Sequence, residues 1–177
     1  MKLGISYIRQ TSNGVNDKGK YIWGLLRLGM GWIFFWAFID KVWGLGFNTV
    51  AGKGWIDGVS PTFGFLKFAT KGPFKEFYQG LAGNPIVDWL FMMGCLFIGL
   101  AFLFGIGMKI ACYSGVLMYI FMYTAGFMPP VHNPFLDEHI MFPLLIIGLT
   151  MIKSGQWLGL GKWWVNTALV KKFPILE

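Results

Sequence analysis

The sequence predicts an all-α integral membrane protein: a four-helix bundle forming a single transmembrane domain over residues 1–177, with a cap of short helices in the first extracytoplasmic loop. Three observations predict it. Hydrophobic residues make up 55% of the chain and charged residues only 13%, about half the charged share of an ordinary soluble domain. The mean hydropathy of +0.57 is distributed as long apolar runs separated by short segments that hold most of the charge, the pattern of a multi-pass helical protein. The 177 residues are filled by one such bundle. Fifteen Lys and Arg against eight Asp and Glu give a net charge of +7, but in a membrane chain a cationic surplus first sets orientation, so nucleic acid is not an expected partner.

The first 20 residues are polar, broken by Asn13, Gly14 and Asn16, and lack the apolar core and cleavage site of a signal peptide, so the N-terminus is expected to be retained. The first span is expected at 21–41. Its apolar run is interrupted only by Arg27 and closed by Asp40 and Lys41, a length of helix that crosses a bilayer core. Residues 47–85 are punctuated by Gly and Pro. Two short apolar stretches there, from Pro61 and from Pro73, each begin as a short helix often does and are too short to span. They are expected to form a cap that lays Phe63, Phe65, Phe68, Phe74 and Phe77 over the bundle mouth, as a lid would.

The second span is expected at 86–106, with Asp88 in its first turn, and the third at 110–127. The tight Gly107-Met108-Lys109 connection makes them an antiparallel hairpin. Cys95-xxx-Gly99 and Ala111-xxx-Gly115 are small-xxx-small pairs that let helices approach closely, and packing is the reading of both cysteines; their depths differ too much for a disulfide. The fourth span is expected at 134–153, with Asn133 as N-cap, Pro134 at the first helical position, and Asp137, Glu138 and His139 in the second turn. Pro143 frees the His139 carbonyl. Residues 156–172, rich in Trp and Lys, suit an interfacial segment.

Four spans put both termini and Lys109 on one side. Nine Lys and Arg fall there against five in the long first loop, so the positive-inside rule places both termini in the cytoplasm of a multi-pass plasma-membrane protein. Asp40, Lys41, Asp88, Asp137, Glu138 and His139 then share one outward level. They read either as one polar site or as an interfacial rim of snorkelling and helix-capping charges. Arg27 lies deeper, where a cation costs ~2.5 kcal/mol or more unless it is paired or hydrated.

Several short motifs within Trp23–Gly161 together resemble the DoxX/DoxD family of small four-helix membrane proteins. They are Arg27-Leu28-x-x-Gly31-Trp32-x-Phe34 with Lys41 at the end of the first helix, Gly64-Phe65-Leu66, Gly83-Asn84-Pro85-x-x-Asp88, and Asn133 to His139 read as Asn-Pro-Phe-Leu-Asp-Glu-His. The family includes the thiosulfate:quinone oxidoreductase DoxD subunit and proteins described as terminal quinol oxidase subunits. The resemblance implies a four-helix bundle attached to quinone-linked oxidoreduction. His132 and His139, seven residues apart on one segment, cannot supply opposed haem ligands, and no cysteine cluster is available, so no haem, iron–sulfur or metal site is expected within this chain.

On that reading His139, with Asp137 or Asp88 as relay, handles the protons of quinone reduction. Arg27 or Lys41 holds a quinone carbonyl, and Asp40 and Glu138 complete the quinone-binding set. An anionic sulfur donor such as thiosulfate would be drawn by Lys41, Lys53, Lys67, Lys71 and Lys75. Quinone is expected as substrate, with membrane lipid and a second subunit or second copy as partners. The competing class is a non-catalytic scaffold or assembly protein, in which the same polar groups fix helix register.

Overall fold

The computed structural model describes residues 17–130 and 134–177. The expectations for the first sixteen residues, for Asn133 as a cap and for His132 lie outside the described residues, which form helices and turns with no strand. Four longer helices run in the order α1 (Asp17–Trp43), α3 (Pro85–Phe104), α4 (Met108–Met122) and α5 (Glu138–Met151), with α2 (Lys75–Gly80) in the α1–α3 connection and α6 (Gly161–Trp164) and α7 (Ala168–Lys172) in the tail. Three of them are long and apolar enough to cross a membrane: residues 18–43, 85–104 and 108–127. Their outward faces are apolar, with Leu90, Phe97 and Leu117 all exposed, as a lipid-facing surface requires.

α1 is longer than expected at both ends because nothing between Asp17 and Trp43 breaks it, and Lys18 and Lys20 extend it by a polar turn. It packs most extensively on α3, where Gly31 and Gly99 set the spacing. A Cβ at Gly31 would lie 2.7 Å from the Leu103 nitrogen, and one at Gly99 would lie 2.7 Å from the Phe35 nitrogen, so the two backbones touch. Asn84 caps α3, its side chain accepting from the Ile86 N–H at 2.9 Å, with Pro85 at the first helical position; Gly105 ends the helix in the left-handed region at φ 72°. α3 turns into α4, α4 packs on α5, and α5 also touches α1. Phe34, Cys95, Ile98, Phe102, Ile146 and Leu149 fill the interior, and both cysteines are buried free thiols, as the packing reading expects.

The fourth helix departs from the expected 134–153. It runs for only 14 residues from Glu138, with Asp137 as its cap in an extended conformation (φ −145°). The Asp137 carboxylate accepts the His139 N–H at 3.0 Å, so one of the free donors of the first helical turn is satisfied without a turn further back. Pro134 to Leu136 are not helical. α4 in turn passes into a π-helical turn at Tyr123–Phe127, and a second π turn, Phe65–Ala69, lies against it: the Lys71 N–H donates to the Ala125 carbonyl at 2.9 Å. The expected ring of cap phenylalanines reduces to one. Phe65 is half-buried and stacked on Phe127, whereas Phe63, Phe68, Phe74 and Phe77 are exposed, and it is Leu66 and Tyr78 that the connection buries, with Tyr78 bonded to Thr124 at 2.7 Å. The expected single interfacial segment at 156–172 divides into α6 and α7, and the last residues fold back so that the Lys109 N–H donates to the Glu177 carbonyl at 2.9 Å.

Candidate functional site

The N-terminus of α5 builds the most chemically equipped group of side chains. Asp137 makes two bonds to one residue: Oδ1 accepts the His139 backbone N–H, and Oδ2 lies 3.1 Å from His139 Nδ1. A carboxylate oxygen accepts, so in this contact Nδ1 is the donor and the ring is held in one orientation. His139 is 5% exposed. Its ring is stacked on Phe127 at 3.8 Å between centroids and 20° between planes, and meets the edge of Tyr119 at 6.0 Å. Tyr119 continues inward to Phe34 at 5.4 Å, and Phe65 lies outside Phe127 at 6.1 Å and 18°. An oriented imidazole is thus walled by aromatic rings that run from the α1–α3 connection into the core.

The other expected site residues are distributed differently. Asp40, 1% exposed, accepts the N–H groups of Phe47 at 3.2 Å and Thr49 at 2.8 Å, so its charge is balanced by the turn that follows α1. Asp88, 6% exposed, accepts from Ser60 Oγ at 2.9 Å and Thr62 Oγ1 at 2.5 Å and fastens the connection to the start of α3. Lys41 is half-buried, its ammonium 6.0 Å from the centroid of the Phe91 ring. Among the described residues the acid–base contact within 4 Å at this end is Asp137 with His139. The reading of these residues as one polar site resolves into three local arrangements, around Asp40, Asp88 and Asp137, because each carboxylate has backbone or hydroxyl donors within hydrogen-bond distance. Glu138 is exposed beside His139. The donor atoms of Asp137, Glu138 and His139 lie within 4.8 Å of one another, a spacing a cation accepts, although Asp137 and His139 already bond each other.

Arg27 does not join these residues. It lies about 20 Å from Asp40 along α1 by helical rise. It is fully buried, and its guanidinium donates to the carbonyls of Phe102, Leu103 (3.0 Å), Trp157 (3.0 Å) and Leu158 (2.9 Å). Two of those carbonyls end α3, where an intrahelical partner is missing and the helix dipole favours a cation. Arg27 therefore ties α1 to α3 and to the segment after α5. Phe127 and Tyr119, which wall His139, carry no signal in the sequence: the π turn inserts a residue between Tyr123 and Phe127 and shifts the face on which Phe127 emerges. Ser60 and Thr62, the partners of Asp88, are likewise ordinary loop hydroxyls until the connection folds over α3.

No protein-family model, curated protein or solved structure matches this chain.

Proposed function

We propose that this chain is the membrane subunit of a quinone-linked oxidoreductase. In this reading it is a four-helix membrane bundle with both termini cytoplasmic and the His139 end facing outward under a short-helix cap. The observation that carries it is the buried imidazole of His139, oriented by Asp137 and enclosed by Phe127 and Tyr119. A quinone becomes a quinol by taking two electrons and two protons. His139 delivers protons to the reduced ring oxygen, and Asp137 stabilises the imidazolium between deliveries, an arrangement worth ~10²–10⁴ in rate when the transfer limits turnover. Two thiosulfate anions joined through a new S–S bond release the two electrons. They reach the quinone directly or through a second subunit, and the lysines of the α1–α3 connection draw the anions in. Lys41 is the cation available to a quinone carbonyl; Arg27 is withdrawn from that role by its four backbone acceptors.

The second reading, a non-catalytic scaffold, is favoured by Asp40, Asp88 and Arg27, each engaged by backbone or hydroxyl partners that hold elements together. One experiment separates the two. The purified protein in detergent is mixed with thiosulfate and a short-chain quinone, and quinol formation is followed by absorbance. Turnover that falls at least tenfold in His139→Ala supports the oxidoreductase; no turnover and no co-extracted quinone supports the scaffold.

A further inference from the structure

At the Arg27 end the chain closes on itself through a carboxylate. Glu177 Oε1 lies 2.6 Å from Lys153 Nζ and Oε2 lies 3.1 Å from Lys109 Nζ, so the two oxygens are shared between the start of α4 and the end of α5. The contact is seated by the main chain around it. Lys109 Nζ also donates to the Pro174 carbonyl at 2.9 Å, and Trp164 Nε1 donates to the Leu176 carbonyl at 2.5 Å. Beneath lies a cavity of about 50 Å³ lined by Gly105, Gly155, Gly161 and Trp164.

Two features distinguish the lysines that meet Glu177. Lys153 holds a left-handed backbone (φ 56°), which a non-glycine residue adopts at a cost, and that conformation stands where its side chain meets Glu177. Lys109 stands in the first turn of α4, at the end of a helix long and apolar enough to cross a membrane, and Lys162, Lys171 and Lys172 make the same tail cationic. Both lysines stay open to the surroundings, Lys153 at 57% and Lys109 at 36% side-chain exposure, so an incoming anion meets them without unfolding α4 or α5.

We propose that Lys109 and Lys153 form an anion site that Glu177 fills from within the chain, and that a phosphate group competes with Glu177 for it. A phosphate offers more acceptor oxygens and more charge than a carboxylate, so it exchanges for Glu177 without leaving either ammonium unpaired. The site joins the beginning of α4 to the end of the helix whose other end carries His139. An occupant that replaces Glu177 loosens the tail while keeping α4 and α5 tied.

The test uses the full chain in nanodiscs of neutral lipid, titrated with a short-chain phosphatidic acid and, separately, with inorganic phosphate. Glu177→Gln is expected to tighten binding of the phosphate-bearing probe about 5- to 10-fold, and Lys109→Ser with Lys153→Ser to abolish that gain. Lys162→Ser serves as the control for general surface charge and is expected to change the affinity less than twofold. If inorganic phosphate competes fully, the ligand is a free anion; if only the lipid binds, it is a headgroup. Equal affinity in wild type and Glu177→Gln, or a loss in Lys162→Ser as large as in the double variant, overturns the site.

Discussion

The two ends of the same helices solve the burial of charge in opposite ways. At the Arg27 end a guanidinium is buried on backbone carbonyls, two of them the last acceptors of α3. At the His139 end carboxylates are held by donors: Asp137 by the His139 N–H in the first turn of α5, Asp88 by two hydroxyls beside the first turn of α3, Asp40 by the N–H groups of the turn after α1. α3 shows the contrast within one element, with an acid at its start and a cation at its finish, which is the polarity its dipole favours. Arg27, Asp40 and Asp88 are thus each held by free backbone or hydroxyl groups at element ends, whereas Glu177 and Asp137 also meet basic side chains. The difference also separates roles. The two terminal nitrogens of Arg27 are taken up by four carbonyls while its Nε has no partner, whereas the His139 ring is enclosed by Phe127 and Tyr119.

The largest effect expected from breaking this scheme is at Arg27. Arg27→Leu removes the donor to four carbonyls at once, and with ~1–3 kcal/mol for each buried polar group left unsatisfied the loss is on the order of 3 kcal/mol or more, since some carbonyls recover water. Thermal unfolding in detergent reads this loss. Arg27→Lys, which keeps the charge and cannot reach four acceptors in a planar fork, should fall between wild type and Leu. Were Arg27→Leu as stable as wild type while quinone reduction disappeared, the residue would belong to the site after all.

A smaller effect is expected at the other end. Asp88→Ala leaves the hydroxyls of Ser60 and Thr62 without their shared acceptor, and about 2 kcal/mol of stability should be lost. The damage should be local: faster proteolysis within residues 47–84 at an unchanged α4–α5 pairing, read by limited digestion and mass spectrometry. Asp88→Asn, which keeps one acceptor oxygen, should recover most of the protection. A uniform loss over the whole chain would mean that Asp88 supports the helix packing itself.

What the sequence made legible follows the same division. Composition and run length indicate spans at 21–41, 86–106 and 110–127, and the helices Lys18–Trp43, Pro85–Phe104 and Met108–Phe127 lie there, because period and length are properties of single segments. The Cys95-xxx-Gly99 spacing indicates close packing, and Gly99 shows it against α1, where Gly31, which the spacing does not single out, faces it. Charges were harder to place. Arg27 was recognisable as a buried cation needing compensation, but its partners are carbonyls 75 to 131 residues away, and every residue has a carbonyl. The start of α5 was misplaced because Pro134 and Asp137 are both good N-terminal signals, and only the carboxylate bond to the His139 N–H decides between them. The ring wall of His139 depends on a one-residue π insertion, for which the hydrophobic pattern has no period.

The smallest expected effect concerns Glu177 and acid. Its hydrogen bond to Lys153, followed by the bond to Lys109 and the charges of both lysines, holds the carboxyl below its ordinary value of 4.5, against a desolvation that pushes the other way. A depressed folded-state value means that the contact stabilises fully above the unfolded-state value and fades as the pH falls through the folded one. Both lysines are partly exposed, so screening limits the contribution to a few tenths of a kcal/mol, 1 kcal/mol at most. The measurement is a difference of differences: the stability of wild type minus that of Glu177→Gln, taken at pH 7 and again well below pH 4. The gap should be present at pH 7, close towards zero in acid, and shrink at high salt. A gap absent at both pH values would place the stabilisation in the main-chain bonds of residues 174–177, which both variants share. The Arg27 end would then be held by backbone groups alone, and the carboxylate would be free to yield its lysines to another anion at any pH.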